Sequence, residues 1–363
     1  MRKYIVLCLC WMAGFLPCLS QTSTDKLFPN AVISRSHYDK MKADLQSKPD
    51  EAFPGKWYQT KIKSRADEII KENKVPITAV STKNNPSNVD ISSEMNDIYL
   101  LCLTYAFEQK EIYLDKAVEY LSAWAKVNVP VTKDNLHEEG YNKGVEGYSL
   151  IRRVITDEQR SLIDGWVRKR GELFAKENDV RVNNWTTCLM YQFYLFGKVL
   201  EDDNILNKYN TQYDTWVIKN LFPNGTTTDL LGRDAFAYHA YDLMFFAHLG
   251  HAIGTYEGYD KADEFYKKDV NLGASIQHSV DFWKPFLLYP DKYTHTEFVD
   301  TEYAPDKNRT DYNKTYNPSG TLYVIDELYE FDSSLEEILK KYNRTYNNGK
   351  VALGMSYLRW FYK

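Results

Sequence analysis

The sequence is poor in cysteine. Of its 363 residues five are Cys, and three of these, Cys8, Cys10 and Cys18, fall within the first twenty. Cys102 and Cys188 sit in apolar helical patterns and read as small buried hydrophobes. No CxxC or Cys/His cluster suggests a zinc site, and no metal or cofactor is expected. Basic charge is not in excess either. Lys and Arg number 45 against 50 Asp and Glu, for a net charge of −5. That balance is a poor match for nucleic acid, whose binding depends on neutralising phosphates. There is no phosphate-binding glycine loop and no Gly-x-Ser-x-Gly elbow. The one long apolar stretch, Tyr4 to Pro17, is too short and too early for a membrane span, so stable membrane insertion is not expected. Period-2 alternation is scarce; Thr321 to Val324 is the best short strand candidate.

Apolar residues are plentiful at 44%, enough for a sizeable core. The unusual feature is the aromatic load: 29 Tyr, 17 Phe and 8 Trp, or 15%. Tyrosine hydroxyls need partners or water, so that many Tyr suit a surface as well as a core, and amphipathic aromatic surface suits sugar rings. Most Phe and many Tyr fall on apolar helical faces. Trp185, Tyr238, Tyr241, Tyr293, Tyr303, Tyr312 and Tyr316 fall beside polar groups or in long loops, and are the candidates for a sugar cleft.

Residues 1–20 read as a secretory signal. Arg2 and Lys3 precede the apolar stretch, and Cys18 and Ser20 place small residues at −3 and −1 before Gln21. A lipoprotein cut at Cys18 fits less well, with Pro17 before it and Phe15 at −3. Cleavage after Ser20 moves the net charge from −5 to −7, since the segment holds two basic residues and no acidic one. The protein is expected to be secreted or periplasmic. Residues 21–56 read as a polar N-terminal arm, and 57–363 as one domain. From Trp57 onward the pattern is a succession of helices with period near 3.6, including Glu94 to Gln109, Glu111 to Val127, Asp157 to Glu177 behind an N-cap at Thr156, Trp185 to Leu200, and Phe236 to Ile253. Ser92 or Ser93 is a candidate cap for the first of these. Roughly ten to twelve helices in hairpin succession, without a short fixed repeat, predict an all-α, incomplete (α/α) toroid with a cleft at one end; the spacing is too irregular for a tetratricopeptide solenoid.

Two segments carry candidate chemistry. Arg181-Val182-Asn183-Asn184-Trp185-Thr186 opens the most apolar helix, and two amides at a helix N-terminus suit a carboxylate. An ordinary Asn cap is the plainer reading. The second runs Gly232-Arg233-Asp234-Ala235-Phe236-Ala237-Tyr238-His239-Ala240-Tyr241. It offers a guanidinium, an imidazole and two phenols within nine residues, with Tyr238 and Tyr241 on one helical face.

Together these motifs resemble the alginate lyase superfamily of polysaccharide lyases. The second segment is similar to the Gly-x-Arg-Ala-Leu-x-Tyr-His-Asn-Tyr stretch of family-five alginate lyases and aligns without a gap. The resemblance covers roughly residues 50 to 300. It implies an α/α toroid that cleaves an anionic uronic-acid polysaccharide, alginate first, by β-elimination. Asn184 matches the family's carboxylate-contacting Asn, and Arg233 would add positive charge nearby. Tyr241 matches the Tyr that acts as acid, or as acid and base in a syn elimination. A phenol acting as base needs a positive neighbour, which Arg233 or protonated His239 would provide. Asn183, Trp185 and Tyr238 are candidate substrate contacts, and His295, in the Tyr-rich loop, is another, with an exposed polar loop as its plainer reading. Two positions depart from the family. Its His after the paired Asn is here Trp185, and its Arg before the Ala is here Asp234. Glucuronan and other uronates therefore remain open as substrates. Two rivals stand beside this reading: an α/α-toroid glycoside hydrolase using carboxylates among Glu138, Glu139 and Glu146, and a noncatalytic glycan-binding relative. His248 and His251 read as core or interface.

Overall fold

The computed structural model describes residues 24–77, 91–130, 135–176, 181–344 and 355–363. The predicted signal segment lies outside them. The helices are α1 (Arg35–Ser47), α2 (Ser64–Lys71), α3 (Ile91–Glu108), α4 (Glu111–Val127), α5 (Asn142–Ile151), α6 (Asp157–Phe174), α7 (Asn184–Leu200), α8 (Asp203–Asn220), α9 (Thr228–Arg233), α10 (Phe236–Glu257), α11 (Tyr259–Lys267), α12 (Ile276–Leu288), α13 (Leu322–Leu328), α14 (Glu336–Lys341) and α15 (Leu358–Phe361). Among the described residues there is no strand, only isolated bridges. None of their helices is long and apolar enough to cross a membrane.

The architecture is an (α/α) toroid. Apolar patterning sorts the helices into two layers. In α3, α7 and much of α10 nearly every side chain is buried, as expected for helices enclosed on all sides. In α4, α6 and α8 only one stripe is buried, so these form the outer layer. The inner helices pack as α3 on α5, α5 on α7, α7 on α10 and α10 on α13. The α3–α5 approach is close: a Cβ on Gly147 would lie 2.8 Å from the Tyr99 Cα, so only glycine fits. Gln109 takes φ 53° between α3 and α4, and Glu201 takes φ 56° after α7. Thr156 and Gln159 form a capping box at α6.

Some expectations change. Thr321 to Val324 is not a strand but the entry to α13, where Leu322, Val324, Ile325 and Leu328 are buried. Ser92 and Ser93 lie inside α3 rather than at its cap. Within the polar N-terminal segment, α1 docks on the body: Tyr38 is fully buried and donates its hydroxyl proton to the Ala106 carbonyl (2.7 Å). Cys102 and Cys188 are buried and form no disulfide with each other.

His251 on α10 pins this N-terminal segment. Its ring nitrogens lie 3.0 Å from the Val32 carbonyl and 2.8 Å from Glu330 Oε2. Burial pulls the imidazole pKa down, but Glu330 outweighs it and holds the value up at about 9, against 6.5 ordinarily. A raised folded-state pKa stabilises the fold fully below the unfolded value and ceases to do so as pH rises through the folded one. The unfolding free energy in urea is therefore expected to fall between pH 6.5 and 9, and His251→Gln to flatten that fall. Equal slopes in the two proteins would show that the pair does not act this way.

Candidate active site

The start of α7 is built around two asparagines. Asn183 accepts the Trp185 N–H (3.2 Å) and caps the helix. Asn184 follows as its first residue, and its backbone N–H donates to Asp229 Oδ2 at 2.5 Å, tying α7 to α9. The Asn184 side chain is 2% exposed, and its amide oxygen has no partner among the described residues. Buried polar atoms are nearly always satisfied, so this unpartnered oxygen, an acceptor, marks Asn184 as a candidate hydrogen-bond contact for a ligand. Trp185 is partly exposed and lies under the Arg181 guanidinium, 4.4 Å from it.

Behind this helix end, Asp242 Oδ1 accepts the Thr187 hydroxyl (2.5 Å) and Oδ2 accepts the Asn220 amide (2.8 Å). Burial pushes Asp229 and Asp242 up together, and their mutual repulsion adds to it for Asp229.

His239 serves α9 rather than a reaction. Its Nε2 faces the Ser279 carbonyl at 3.3 Å, and Nδ1 lies 3.0 Å from the Thr227 hydroxyl. A carbonyl only accepts, so Nε2 carries the proton and Nδ1 accepts from Thr227, whose oxygen also caps α9 by accepting the Leu230 N–H. The ring is fully buried against Phe236, Phe282 and Trp283, and burial lowers its pKa to about 4. It is neutral and enclosed, which corrects its expected part in proton transfer.

Arg233, the last residue of α9, is also engaged. Its guanidinium donates to both Asp306 oxygens, through Nε at 2.6 Å and through Nη2. Nη2 donates as well to the Tyr238 hydroxyl (2.7 Å), and the group lies over the Tyr238 ring at 3.6 Å. It therefore orders Tyr238 and is not the neighbour of Tyr241. Asp234, at φ 50°, turns the chain into α10. Its carbonyl accepts the Phe298 N–H (2.7 Å) and the His295 imidazole (3.0 Å). Glu297 caps α10 by accepting the Phe236 N–H (2.9 Å). The Tyr-rich segment 289–318 is thus strapped onto the α9–α10 turn, and His295 belongs to the strap. Tyr303 is exposed there, whereas Tyr316 is buried and accepts the Trp283 indole N–H at 3.1 Å, so Tyr316 leaves the cleft set.

Tyr241 donates its phenol proton to Glu139 Oε2 at 2.8 Å. Burial, then the Glu139 charge, raises the phenol well above its ordinary range; burial also raises the Glu139 carboxyl. The expected cation beside Tyr241 is replaced by a carboxylate. Glu139 is the residue that sequence reasoning weighed only for a hydrolytic pair. Its neighbours have other partners: Glu138 binds Arg170 (3.1 Å), and Glu146 binds Lys143 (2.7 Å) and the Tyr191 hydroxyl (2.6 Å).

Helices α7 and α10 run parallel and side by side, with Thr187 bonded to Asp242 and the Tyr191 and His248 rings 5.5 Å apart. This register sets Asn184 level with Tyr238 and Tyr241. Tyr241, Phe245 and His248 share one face of α10, and Asn184, Cys188 and Tyr191 share one face of α7. Further along the inner helices is a cavity of about 270 Å³ lined in part by Tyr99, Lys143, Glu146, Tyr191, His248 and Glu327. No group of three metal-ligating side chains occurs among the described residues.

A family model described as alginate lyase matches residues 36–292. No curated protein matches the sequence. Among solved structures, the chain is similar to an alginate lyase from Bacteroides ovatus, with a TM-score of 0.64 at 14% identity over 91% of this chain and 98% of that one. It is also similar to alginate lyase A1-III from Sphingomonas species A1, with a TM-score of 0.61 at 13% identity over 85% and 90%. A variant of alginate lyase A1-III complexed with tetrasaccharide gives a TM-score of 0.56 at 13% identity over 73% and 78%.

Proposed function

This chain belongs to the alginate lyase family and is a polysaccharide lyase, and we propose from that premise that Asn184, Tyr241 and Glu139 carry out β-elimination on alginate. The observation that carries the reading is the Tyr241–Glu139 hydrogen bond on the same inner wall, and at the same level, as Asn184. The C5 proton of a uronate is weakly acidic, and its removal builds charge on the C6 carboxylate. The Asn184 side-chain N–H stabilises that charge. Tyr241 takes the C5 proton while its own proton passes to Glu139. The C4–O4 bond then breaks, the C4=C5 double bond forms, and the departing O4 takes a proton from Tyr241 as Glu139 returns the one it held. The net transfer is one proton from C5 to O4. Burial suits Glu139 to this, since a carboxylate with raised pKa is the stronger base.

One observation favours a second reading. The Tyr238 hydroxyl accepts from Arg233 at 2.7 Å, the positive neighbour that a phenolate base requires. In that scheme Tyr238 removes the C5 proton and Tyr241 protonates O4. The strap 289–318, with Tyr303 exposed, would supply sugar contacts. The basic, apolar and small-residue pattern of residues 1–20 supports export to the periplasm or exterior.

The deciding assay incubates the protein with polymannuronate, polyguluronate and glucuronan and follows absorbance in the unsaturated-uronate band. Absorbance rising on either alginate block is expected. Reducing ends without absorbance would mean a hydrolase, and retardation in a polysaccharide gel with neither signal would mean a binding protein.

A further inference from the structure

The inner helices enclose their large apolar side chains, with one exception. Among the described residues of α3, α5, α7, α10 and α13, Tyr323 alone leaves a large hydrophobic side chain exposed, at 45%. Its hydroxyl makes no hydrogen bond to the described residues. Single exposed rings are ordinary on an outer surface. On a helix of the inner wall, an open ring face is surface offered to the cleft.

The packing of α13 on α10 locates this ring. His248 stands 3.9 Å from Glu327, and His251 stands 2.8 Å from Glu330. A Cβ on Gly250 would lie 2.9 Å from the Phe331 ring. The two segments therefore run parallel and in register. Tyr323 is one turn before Glu327 on the same face of α13. That sets it level with Met244, three residues and roughly 4–5 Å along the axis from Tyr241.

The sides of α10 fix the order around the cleft. Asp242 meets α7 through Thr187, and His251 meets Glu330 just past α13. Nine residues at about 100° each put these on opposite sides of α10, roughly 180° apart, and Tyr241 falls between them. Asn184 and Tyr323 thus flank Tyr241 from its two sides. The Glu139 carboxylate that accepts from Tyr241 also acts on Tyr323: burial, then the Glu139 charge, raises each phenol. A side chain that is open to water yet partly desolvated lies in a concave wall.

We propose that Tyr323 is a substrate-binding residue whose ring packs against the sugar that departs with O4. The proposal rests on the lyase reading and deepens it. Asn184 holds the carboxylate from the α7 side, and Tyr241 has to reach both C5 and O4. C4 adjoins C5 in the pyranose ring, so O4 and the sugar it carries pass Tyr241 on the α13 side, where the open aromatic face stands.

The test is Tyr323→Ala, assayed on whichever alginate block the wild type cleaves. KM should rise about tenfold, with kcat within about threefold. The urea midpoint should not move, because the side chain is exposed. Should that variant not fold, Tyr323→Gln carries the same expectation. Tyr323→Phe keeps the ring and should hold both constants within about threefold of wild type. An unchanged KM in folded Tyr323→Ala overturns the proposal. So does a kcat loss of about 10²-fold or more in Tyr323→Phe at unchanged KM, which would make the hydroxyl a proton donor instead. If the wild type forms no unsaturated product, the lyase mechanism fails separately. Tyr323 is then judged by calorimetry with saturated tetramannuronate: binding about tenfold weaker in Tyr323→Ala is required, and equal or absent binding refutes the contact.

Discussion

Tyr241→Phe is expected to lower kcat by about 10²- to 10⁴-fold, the usual range for a positioned general acid–base group. KM should stay within about threefold. Phenylalanine keeps the ring on the inner face of α10 and removes only the hydroxyl that donates to Glu139. Glu139→Gln separates the two proton schemes. A glutamine oxygen still accepts the phenol hydrogen bond but cannot carry a proton away, so the relay predicts a kcat loss approaching that of Tyr241→Phe. The pH profile gives a second reading. Burial raises the Glu139 pKa, and the relay needs this group ionised. Activity should therefore fall on the acid side through a pKa above the ordinary carboxylate range, and that limb should vanish in Glu139→Gln. Near wild-type turnover in Glu139→Gln would reject the relay, and Tyr238→Phe would then test Tyr238 as the base.

Different parts of this site were legible to different degrees. Tyr241 and Asn184 stand in local motifs, and local motifs survive in sequence. Glu139 lies 102 positions from Tyr241, and only the closing of the inner ring brings them together. Its separation from Glu138 and Glu146 was equally hidden, because each carboxylate found its own distant or helical partner. His239 is a different case. It lies two residues before Tyr241 and one after Tyr238, and residues so spaced on a helix point to different faces. Its burial against α12 was therefore implicit in helical phase, which the concentration of polar side chains obscured. The inner helices were legible because they are apolar all round. Helix α9 was not, since six residues are too few to display a period. The four residues from Thr321 to Val324 were ambiguous for the same reason, and the helix was chosen by packing of Leu322, Ile325 and Leu328.

Arg170→Met is expected to cost about 3–5 kcal/mol of unfolding free energy, the range for removing one member of a buried ion pair. Arg170 and Glu138 are both wholly enclosed, with Nε 3.1 Å from Oε2. The guanidinium lies between the Tyr141 and Trp166 rings at 4.0 and 4.4 Å and donates to Asn128. Asn128 in turn accepts the Trp166 indole N–H (3.0 Å) and donates to the Tyr141 hydroxyl (2.9 Å). Methionine fills the volume but removes the Arg170 cation from beside the enclosed Glu138 carboxylate. That carboxylate then has a raised folded-state pKa. The penalty is greatest above that value and disappears below the unfolded one, near 4.3. The stability deficit should accordingly shrink as pH falls, which loss of packing alone would not do. The double variant Arg170→Met/Glu138→Leu should recover much of it at neutral pH. An exposed pair such as Arg35–Asp39, at 2.9 Å, should cost only about 0–1 kcal/mol when broken. Glu138 precedes Glu139 in the chain, so loosening its anchor should also lower kcat in the folded fraction by displacing the proton acceptor of Tyr241. Urea titrations across pH, with turnover corrected for folded protein, measure both effects. A pH-independent loss under about 1 kcal/mol would show that the pair does not anchor the fold, and unchanged turnover in the folded fraction that it does not hold Glu139 in place.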